Sequence, residues 1–290
     1  MPNLKSIKVR IKSVKSTQKI TQAMKLVAAS KVRRAQIRVF NSRPYSEKVR
    51  AFALKTVSGM LFLEKQEIPL MNQREVKSAG VIVISSDRGL CGSYNTNVIK
   101  RATKRAIELG KEGKKPKLIV VGNKANNFFR RTKVEIIGSF TQLPATPTVE
   151  LANLIATSAE DAFKNKIVDE VEIIGTDFIS MIRNEVYIKH FLPIKSEMKE
   201  DKGKSSFVLF EPSLTSVLEY LLPLYLSNII YHGLLEANCS ELASRMNAMS
   251  SASKNAKELI DKLTIVYNKA RQAAITQELT EIVGGVEALR

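Results

Sequence analysis

One apolar repeat near the carboxyl end of the chain limits its fold more than any other feature. No proline or glycine occurs between Leu234 and Val283, and small or apolar residues recur there at alternating spacings of four and three. These residues are Leu242, Met246, Met249, Ser253, Ala256, Ile260, Leu263, Tyr267, Ala270 and Ala274. This is the heptad pattern of a helix that pairs with another helix, and fifty helical residues extend ~75 Å. We therefore predict a long coiled-coil helix that projects beyond any core of its own.

Glycine and proline mark the predicted ends of this helix. Gly284 and Gly285 are expected to end it, because glycine readily adopts the left-handed conformation that closes helices. Pro212 suits the first turn of the same helix. Pro223 is expected to kink the helix or to restart it, because proline lacks the amide that the helix needs.

The amino-terminal segment is also predicted to be helical, and it is strongly basic. Residues 1–46 contain twelve Lys or Arg and no Asp or Glu, a block that is often a disordered tail. Two apolar stripes at helical spacing favour a helix instead. The first stripe is Leu4, Ile7, Ile11 and Val14, and the second is Ile20, Met24 and Val27. The stripes lie on nearly opposite faces, which indicates either a drifting core stripe or, as we favour, one partner inside the protein and a second outside it.

Between these helical ends the pattern changes to short β-rich runs that alternate with helices. The predicted strands are 79–85, 116–122, 133–140, 169–178 and 184–194, and the predicted helices are 95–110 and 148–165. Gly110 is expected to close the first of these helices, and the last two strands are spaced as a hairpin. Such alternation predicts a mostly parallel sheet with an antiparallel edge.

The sequence therefore predicts an α/β protein with three segments. The terminal helices, residues 1–57 and 211–290, form a long antiparallel coiled coil. Residues 58–210 form a small Rossmann-like α/β domain that is inserted between them.

The run SSDRGLCGSYN, residues 85–95, follows the first predicted strand, where α/β folds place ligand sites. Its glycines, Gly89 and Gly92, do not match a phosphate-binding pattern. Cys91 has no companion at metal-binding or catalytic spacing. We expect Asp87 to cap backbone amides of the turn, Cys91 to be a small buried residue, and the glycines to permit close backbone packing.

Other candidates for chemistry are few. The chain has two cysteines, Cys91 and Cys239, and two histidines, His190 and His232, without the spacing that a metal site or a catalytic pair requires. We therefore expect no catalytic residue, no cofactor and no metal. Two distant cysteines do not form a disulfide framework, which indicates a cytosol-facing protein.

The charge of the chain leaves two alternative functions open. Its 46 basic and 28 acidic residues give a net charge of +18, which indicates an acidic partner. A basic nucleic-acid-binding protein is one alternative, although the interleaved aromatic residues and motifs of that class are absent from the sequence. A small α/β enzyme with helical arms is the other, and it predicts a polar pocket with perturbed ionisable groups after the first strand.

Three motifs in order give the chain a family resemblance. They are KSTQKITQAMKLVAASK at 15–31, SSDRGLCGSYN at 85–95 and YNKARQAAITQELTEIVGG at 267–285. Over its whole length the chain resembles the gamma subunits of F-type rotary ATP synthases. The resemblance implies a central rotor shaft that couples proton-driven rotation of the c-ring to conformational cycling of the catalytic beta subunits. It also implies that the chain is not itself catalytic.

The same resemblance implies partners and a location. The partners are the alpha and beta subunits of the catalytic ring, the epsilon subunit and the c-ring, with one copy of the chain per complex and no nucleic acid. The location is peripheral, on the cytoplasmic face of a bacterial plasma membrane or the matrix face of the mitochondrial inner membrane. The inserted dithiol of the chloroplast form has no counterpart in this sequence, so thiol control of that kind is not expected.

Residue roles are also implied only by the resemblance. The residues expected to contact the surrounding ring are Met24, Arg245, Arg271, Gln272 and Thr276. Those expected at the foot, near the c-ring and the epsilon subunit, are Tyr45 and Phe210.

Overall fold

Two very long helices dominate the protein. The computed structural model describes residues 4–58, 68–195, 211 and 213–288. Helix α1 spans Leu4–Ser58, and the last helix, α5, spans Leu214–Ala288. The chain divides into two compact units, one with the residues up to 29 and from 245 onward, the other with residues 30–244. Each long helix therefore contributes a segment to both units.

In the first unit the buried residues follow the heptad pattern of the sequence. All ten predicted seam residues of α5 are buried or half-buried, nine of them in this unit and Leu242 in the second, whereas nearly every residue between them is exposed from residue 254 onward. The first predicted stripe of α1 is also buried or half-buried. Since the described part of this unit consists of these two helical segments, the two stripes cover each other. The predicted antiparallel coiled coil is confirmed.

The second apolar stripe of α1 lies on the outside of the first unit. Ile20 and Val27 are 58% and 56% exposed, and Met24 is half-buried. Leu26 extends this outer face and is 65% exposed. The helix therefore has an inner apolar face that α5 covers and an outer apolar face in contact with solvent.

The final turns of α5 are exposed on every side. Each described side chain from 275 to 285 is exposed, including those of Ile275, Leu279, Ile282 and Val283. The helix does not end at Gly284 and Gly285, as the sequence predicted, but continues to Ala288. A glycine in a helix costs only about 1 kcal/mol relative to alanine, so two glycines weaken the helix without necessarily ending it.

The second unit is built around one five-stranded sheet. Its strands are β1 (Ser78–Ile84), β2 (Lys115–Val121), β3 (Glu135–Phe140), β4 (Glu170–Phe178) and β5 (Asn184–Leu192). They are ordered β3-β2-β1-β4-β5, and all neighbouring pairs are parallel except the antiparallel β4–β5 hairpin. The predicted mostly parallel sheet with an antiparallel edge is confirmed.

Helices cover both faces of this sheet. Helices α2 (Tyr94–Lys111) and α3 (Asn123–Phe129) pack on one face. Helix α4 (Val149–Lys164), the end of α1 and the first part of α5 pack on the other. Helix α2 ends one residue after the predicted Gly110, and the left-handed turn residue is Gly113, with a φ of 78°. Helix α3 and a 3₁₀ turn at Pro69–Met71 were not predicted, because both are too short to have an apolar period.

Helix α5 passes Pro223 without a break, contrary to the prediction that it could restart there. The neighbouring Leu222, Tyr225 and Leu226 are buried against the sheet. Each buried large apolar side chain contributes about 1.5–3 kcal/mol, and together they exceed the ~3 kcal/mol cost of a proline inside a helix. Pro212 lies outside the described residues.

Replacing Ile260 with alanine should destabilise the coiled coil by about 2 kcal/mol or more, because this seam side chain is only 8% exposed. The measurement is chemical denaturation of the purified chain, followed by helical circular dichroism. Ile265, on the same helix, is 69% exposed, so Ile265→Ala is the control and should change stability by no more than about 0.5 kcal/mol. Equal effects of the two substitutions would contradict the assigned seam.

Candidate functional site

The turn of residues 85–95 lies at the carboxyl edge of the sheet, between β1 and α2. Two of its residues have left-handed backbone conformations, Leu90 with a φ of 61° and Gly92 with a φ of 58°. Glycine adopts this conformation freely, whereas a leucine held in it costs about 1–3 kcal/mol. The backbone angle at Gly92 therefore explains a glycine at that position.

Asp87 binds backbone amides of two other loops. Its Oδ1 accepts a hydrogen bond from the amide of Asn123 at 2.8 Å, and its Oδ2 accepts one from the amide of Leu143. Asn123 follows β2 and Leu143 follows β3, so one carboxylate joins the loops after three parallel strands. The prediction that Asp87 caps backbone amides is confirmed, but these amides do not belong to its own turn.

The same turn binds the remaining amides at the start of α3. The Oγ of Ser85 accepts from the amide of Ala125 at 3.1 Å, and the carbonyl of Ser86 accepts from the amide of Lys124 at 3.1 Å. The amide of Asn123 donates to Asp87, so the first three amides of this helix all donate hydrogen bonds to the loop after β1. Such amides are what a helix start offers to a phosphate. Here the chain's own groups occupy them.

Close packing of the two loops depends on Gly122, which has a φ of 93°. A Cβ at this position would lie 2.6 Å from the carbonyl oxygen of Ser85, so a side chain does not fit. The close packing predicted at Gly89 is not found: a Cβ there would be an ordinary 3.6 Å from the Lys124 side chain. This packed turn is the opposite of the open polar pocket that the small-enzyme alternative predicts.

Both cysteines are buried. Cys91 is 2% exposed in the core on the α2 side of the sheet, and its Sγ lies 3.0 Å from the Nδ2 of Asn95. Cys239 on α5 is fully buried, and burial raises the pKa of its thiol to about 12. Because the thiolate is the reactive form, burial makes Cys239 unreactive. The prediction that Cys91 is a small buried residue is confirmed.

The two histidines make structural contacts. The Nδ1 of His232 lies 3.0 Å from the Oγ of Ser42, and the Nε2 of His190 lies 2.7 Å from the carbonyl oxygen of Pro193. Burial lowers the pKa of both imidazoles. Within the described part of the chain, no three His, Cys, Asp or Glu side chains are grouped so as to hold a metal ion.

An ion pair between the two long helices was missed by sequence reasoning. Arg43 of α1 donates to the Oε1 of Glu236 on α5 from both its Nε, at 3.2 Å, and its Nη2, at 2.9 Å. The Oε2 of Glu236 accepts the amide of Phe178, at the end of β4, at 2.7 Å. Arg43 also donates to the carbonyl of Phe178 at 3.1 Å. One closed ring of hydrogen bonds therefore joins α1, α5 and the sheet.

Burial makes this ring, which we call the Glu236 clamp, energetically important. The side chain of Glu236 is 4% exposed and that of Arg43 is 37% exposed. Removing Arg43 would leave the buried carboxylate without its charged partner, and because Arg43 is partly screened by solvent the cost should be about 1.5–3 kcal/mol. The sequence does contain one signal of the clamp, because Glu236 is an acidic residue within the mostly apolar run LLEANCSEL. It did not identify Arg43, which is 193 residues away.

The residues expected at the surrounding ring all lie in the first unit. Met24 and Arg245 are half-buried, and Arg271, Gln272 and Thr276 are exposed on α5. The Oγ1 of Thr276 donates to the carbonyl of Gln272 at 3.0 Å, one helical turn earlier. Gln272 and Thr276 therefore share one face of α5.

Of the two residues expected at the foot, the structure describes Tyr45. Tyr45 lies on α1 in the second unit and is 55% exposed. Phe40 and Phe52 of the same helix are 46% and 48% exposed. Phe210 lies outside the described residues.

Among the described residues, no helix combines the length and the hydropathy that crossing a membrane would require.

Comparison with known proteins gives a consistent result over the whole chain. A family model described as ATP synthase matches residues 3–289. The ATP synthase gamma chains of Trichormus variabilis and of a Nostoc species are each 46% identical over 315 aligned positions, which cover all of both chains. Since this alignment is longer than the 290 residues here, those relatives contain residues without a counterpart in this chain.

Solved structures agree with these matches. A chain of the Tetrahymena thermophila mitochondrial ATP synthase, from a structure of its central stalk and c-ring, is 28% identical with a TM-score of 0.63. The match covers 81% of this chain and 99% of that one. A chain of the Euglena gracilis mitochondrial ATP synthase has a TM-score of 0.70 over 99% of this chain and 94% of its own. At 18% identity, that second match supports the fold alone.

Replacing Asp87 with alanine should destabilise the α/β unit by about 3 kcal/mol, because two amides lose a charged acceptor. Urea denaturation followed by circular dichroism measures the loss. Asp161 is exposed on α4, so Asp161→Ala should have little effect. An Asp87→Ala chain as stable as this control would contradict the structural role of Asp87.

The isolated chain should lose stability as the pH falls. The pKa of both imidazoles is lowered in the folded chain, whereas in the unfolded chain it is near 6.5. At pH values between the folded and the unfolded pKa, the unfolded chain therefore binds more protons than the folded chain. Stability therefore rises with pH through this window and is fully present above about pH 7. We expect a lower unfolding temperature at about pH 5.5 than at about pH 7.5, and a smaller difference for His232→Gln. An unchanged difference in that variant would contradict a contribution from His232.

Proposed function

The chain belongs to the family of ATP synthase gamma chains, and from this premise we propose that it works as the central shaft of a rotary ATP synthase. In that role it couples rotation of a membrane-embedded ring to conformational changes in catalytic subunits, and it carries out no phosphoryl chemistry itself. The observation that carries the proposal is the two-faced pairing of the terminal helices. One apolar face of α1 is buried against α5 in the coiled coil, and the other apolar face of α1 is exposed to solvent.

The proposed partners are the alpha and beta subunits of a catalytic ring, an epsilon subunit and a ring of c subunits, with one copy of the chain in each complex. The Tetrahymena chain that this protein resembles comes from a central stalk and c-ring, which supports the assignment. The exposed stripe of Ile20 and Val27 supports it further, because a shaft needs an outer face that slides against changing surroundings.

The ring contacts on this shaft are proposed to be Met24, Arg245, Arg271, Gln272 and Thr276. Their support is that all five lie in the coiled-coil unit and that three of them are exposed. Ten of the twelve basic residues in 1–46 are also exposed, so this part of the shaft has a diffuse positive field. Such a field acts over about 10 Å and attracts acidic partner loops without fixing one rotary angle.

Tyr45 is proposed to lie at the foot, near the c-ring and the epsilon subunit. Its support is its exposure and the exposed aromatic residues on the same helix. The same role is proposed for Phe210. Residues 58–210 are proposed as the inserted domain at that foot.

The proposed location is the cytoplasmic face of a bacterial plasma membrane or the matrix face of the mitochondrial inner membrane. The chain is a stalk subunit and would be held at the membrane by its partners.

Reconstitution tests this function directly. The purified chain is added to ATP synthase that lacks its gamma subunit, in vesicles that hold a proton gradient. We expect restored proton-driven ATP synthesis with one chain per complex. Failure of correctly assembled complexes to synthesise ATP would contradict the proposal.

Met24→Lys should impair coupling more than assembly in the same vesicles. A lysine at this half-buried position can donate to an acceptor on the ring in one rotary position. A hydrogen bond of that kind contributes roughly 1.5–3 kcal/mol. It must break in every turn, so rotation should slow by about ten- to hundredfold. Synthesis, hydrolysis and complex yield are compared.

Met24→Leu is the matched control for this substitution, because leucine preserves the size and polarity of the side chain. It should be nearly neutral in all three measurements. Equal behaviour of the two variants, or failure of the lysine variant to assemble, would contradict a rotor-surface position for Met24.

A further inference from the structure

Two kinds of contact hold the long helices against the sheet of the second unit. The first kind is apolar: side chains of α1, α5 and the sheet form continuous buried clusters. Apolar contacts resist separation, but they are non-directional, and packed helices can slide on one another by small shear movements. Apolar burial alone therefore does not fix the rotational position of a helix on a sheet.

The second kind of contact is directional. Asn184 of β5 donates one hydrogen bond to the Oγ of Ser244 on α5 at 2.8 Å, and four further hydrogen bonds meet at a single position. The Glu236 clamp uses both oxygens of one carboxylate, two donors of Arg43 and both backbone groups of Phe178. Turning α5 by one residue moves Glu236 through ~100° and breaks every bond that it makes. The buried ring of Phe178 lies in the same apolar cluster as Val39 and Leu235.

A steric notch adjoins the clamp, one helical turn earlier on α5. A Cβ at Gly233 would lie 3.2 Å from the Oη of Tyr187, and a Cβ at Gly175 of β4 would lie 2.5 Å from the same atom. Tyr187 is therefore held between a glycine of the helix and a glycine of the sheet. The Nζ of Lys189 lies 3.7 Å from the centre of its ring. A turn of α5 would replace Gly233 with a larger side chain and drive it into Tyr187.

We propose that Glu236 is a positioning residue for rotary coupling, because it fixes the angle of the shaft helices on the α/β domain and so carries torque between them. This inference rests on the proposed shaft function. The apolar clusters hold the parts together, while the clamp and the notch prevent them from turning. Helix α5 is one continuous helix from the clamp to Ala288, so torque received at Glu236 enters the same helix that continues into the coiled coil.

The chain offers a matched control for this role. Arg105 of α2 donates to both carboxylate oxygens of Glu172 on β4, each at 2.7 Å. Glu172 is mostly buried, with a side chain that is 14% exposed. This bidentate pair joins a helix to the same sheet but includes neither α1 nor α5. Glu172→Gln thus weakens a comparable ion pair without releasing the shaft.

The experiment compares Glu236→Gln and Glu172→Gln in the assembled ATP synthase in vesicles. ATP hydrolysis and ATP-driven proton pumping are measured together, first without a proton gradient and then against increasing gradients. For Glu236→Gln we expect hydrolysis within about twofold of the parent without a gradient, and loss of pumping as the opposing gradient rises. Loss of one charge-assisted bond should raise the rate of slipping about ten- to hundredfold, at ~1.4 kcal/mol for each tenfold.

Glu172→Gln should keep the parent's ratio of protons pumped to ATP hydrolysed at every gradient, even where it lowers thermal stability. The same ratio for Glu236→Gln and the parent at all gradients would overturn the inference. An equal loss of coupling in both variants would also overturn it, because the effect would then follow from general destabilisation.

Arg43→Lys provides a second test if Glu236→Gln does not assemble. Lysine keeps the charge, but it lacks the planar fork that binds Glu236 and Phe178 together. It should give a load-dependent loss of coupling in the same direction, and full coupling would overturn the inference. If the parent chain itself fails to couple, the proposed function fails. If the parent couples and the clamp variants couple equally well, the proposed function stands and the torque role of Glu236 is contradicted.

Discussion

The pairing of the two chain ends is the constraint on which the rest of the structure depends. A helix of 75 residues cannot be covered by one small core, so its apolar face must be buried by another long element. In the first unit that element is α1, whose sequence starts at Leu4, 238 residues before the first seam residue of α5, Leu242. A chain whose two ends are paired has one simple place for the remaining residues, which is an insertion between them. The α/β unit follows from this arrangement.

In the α/β unit, the edge of the sheet at which many proteins of this architecture bind ligands is used for structure. Parallel strands direct their carboxyl ends and the following helix starts toward one edge, where many proteins of this architecture bind ligands. Here Asp87 and Ser85 bind the amides at that edge, and Gly122 allows the loops to meet. The motif SSDRGLCGSYN is thus explained by hydrogen bonds within the chain. A motif with an aspartate, a cysteine and two glycines is therefore not sufficient evidence for chemistry.

Features with a local period were predictable from the sequence, and features made by distant pairs were not. The seam of α5 was predicted residue by residue because heptads repeat a short spacing, and the five strands were found from compact β-rich runs. Helix α3 was missed because its start is stabilised by the loop after β1 rather than by its own sequence. Glu236 was missed because its partners, Arg43 and Phe178, are 193 and 58 residues away. The restart at Pro223 and the helix end at Gly284–Gly285 were wrongly predicted, because local propensity costs less than the burial or continuity of a long helix gains.

The exposed apolar side chains at the end of α5 have a consequence for the subunit before it is assembled. Ile275, Leu279, Ile282 and Val283 would be attractive to one another in a concentrated solution of free chains. The net charge of +18 opposes that association, because like-charged molecules repel before their apolar surfaces can meet. High salt screens this repulsion, so the free subunit should become less soluble as salt is added. The basic surface thereby keeps the exposed apolar end of α5 from associating with other copies of the free chain.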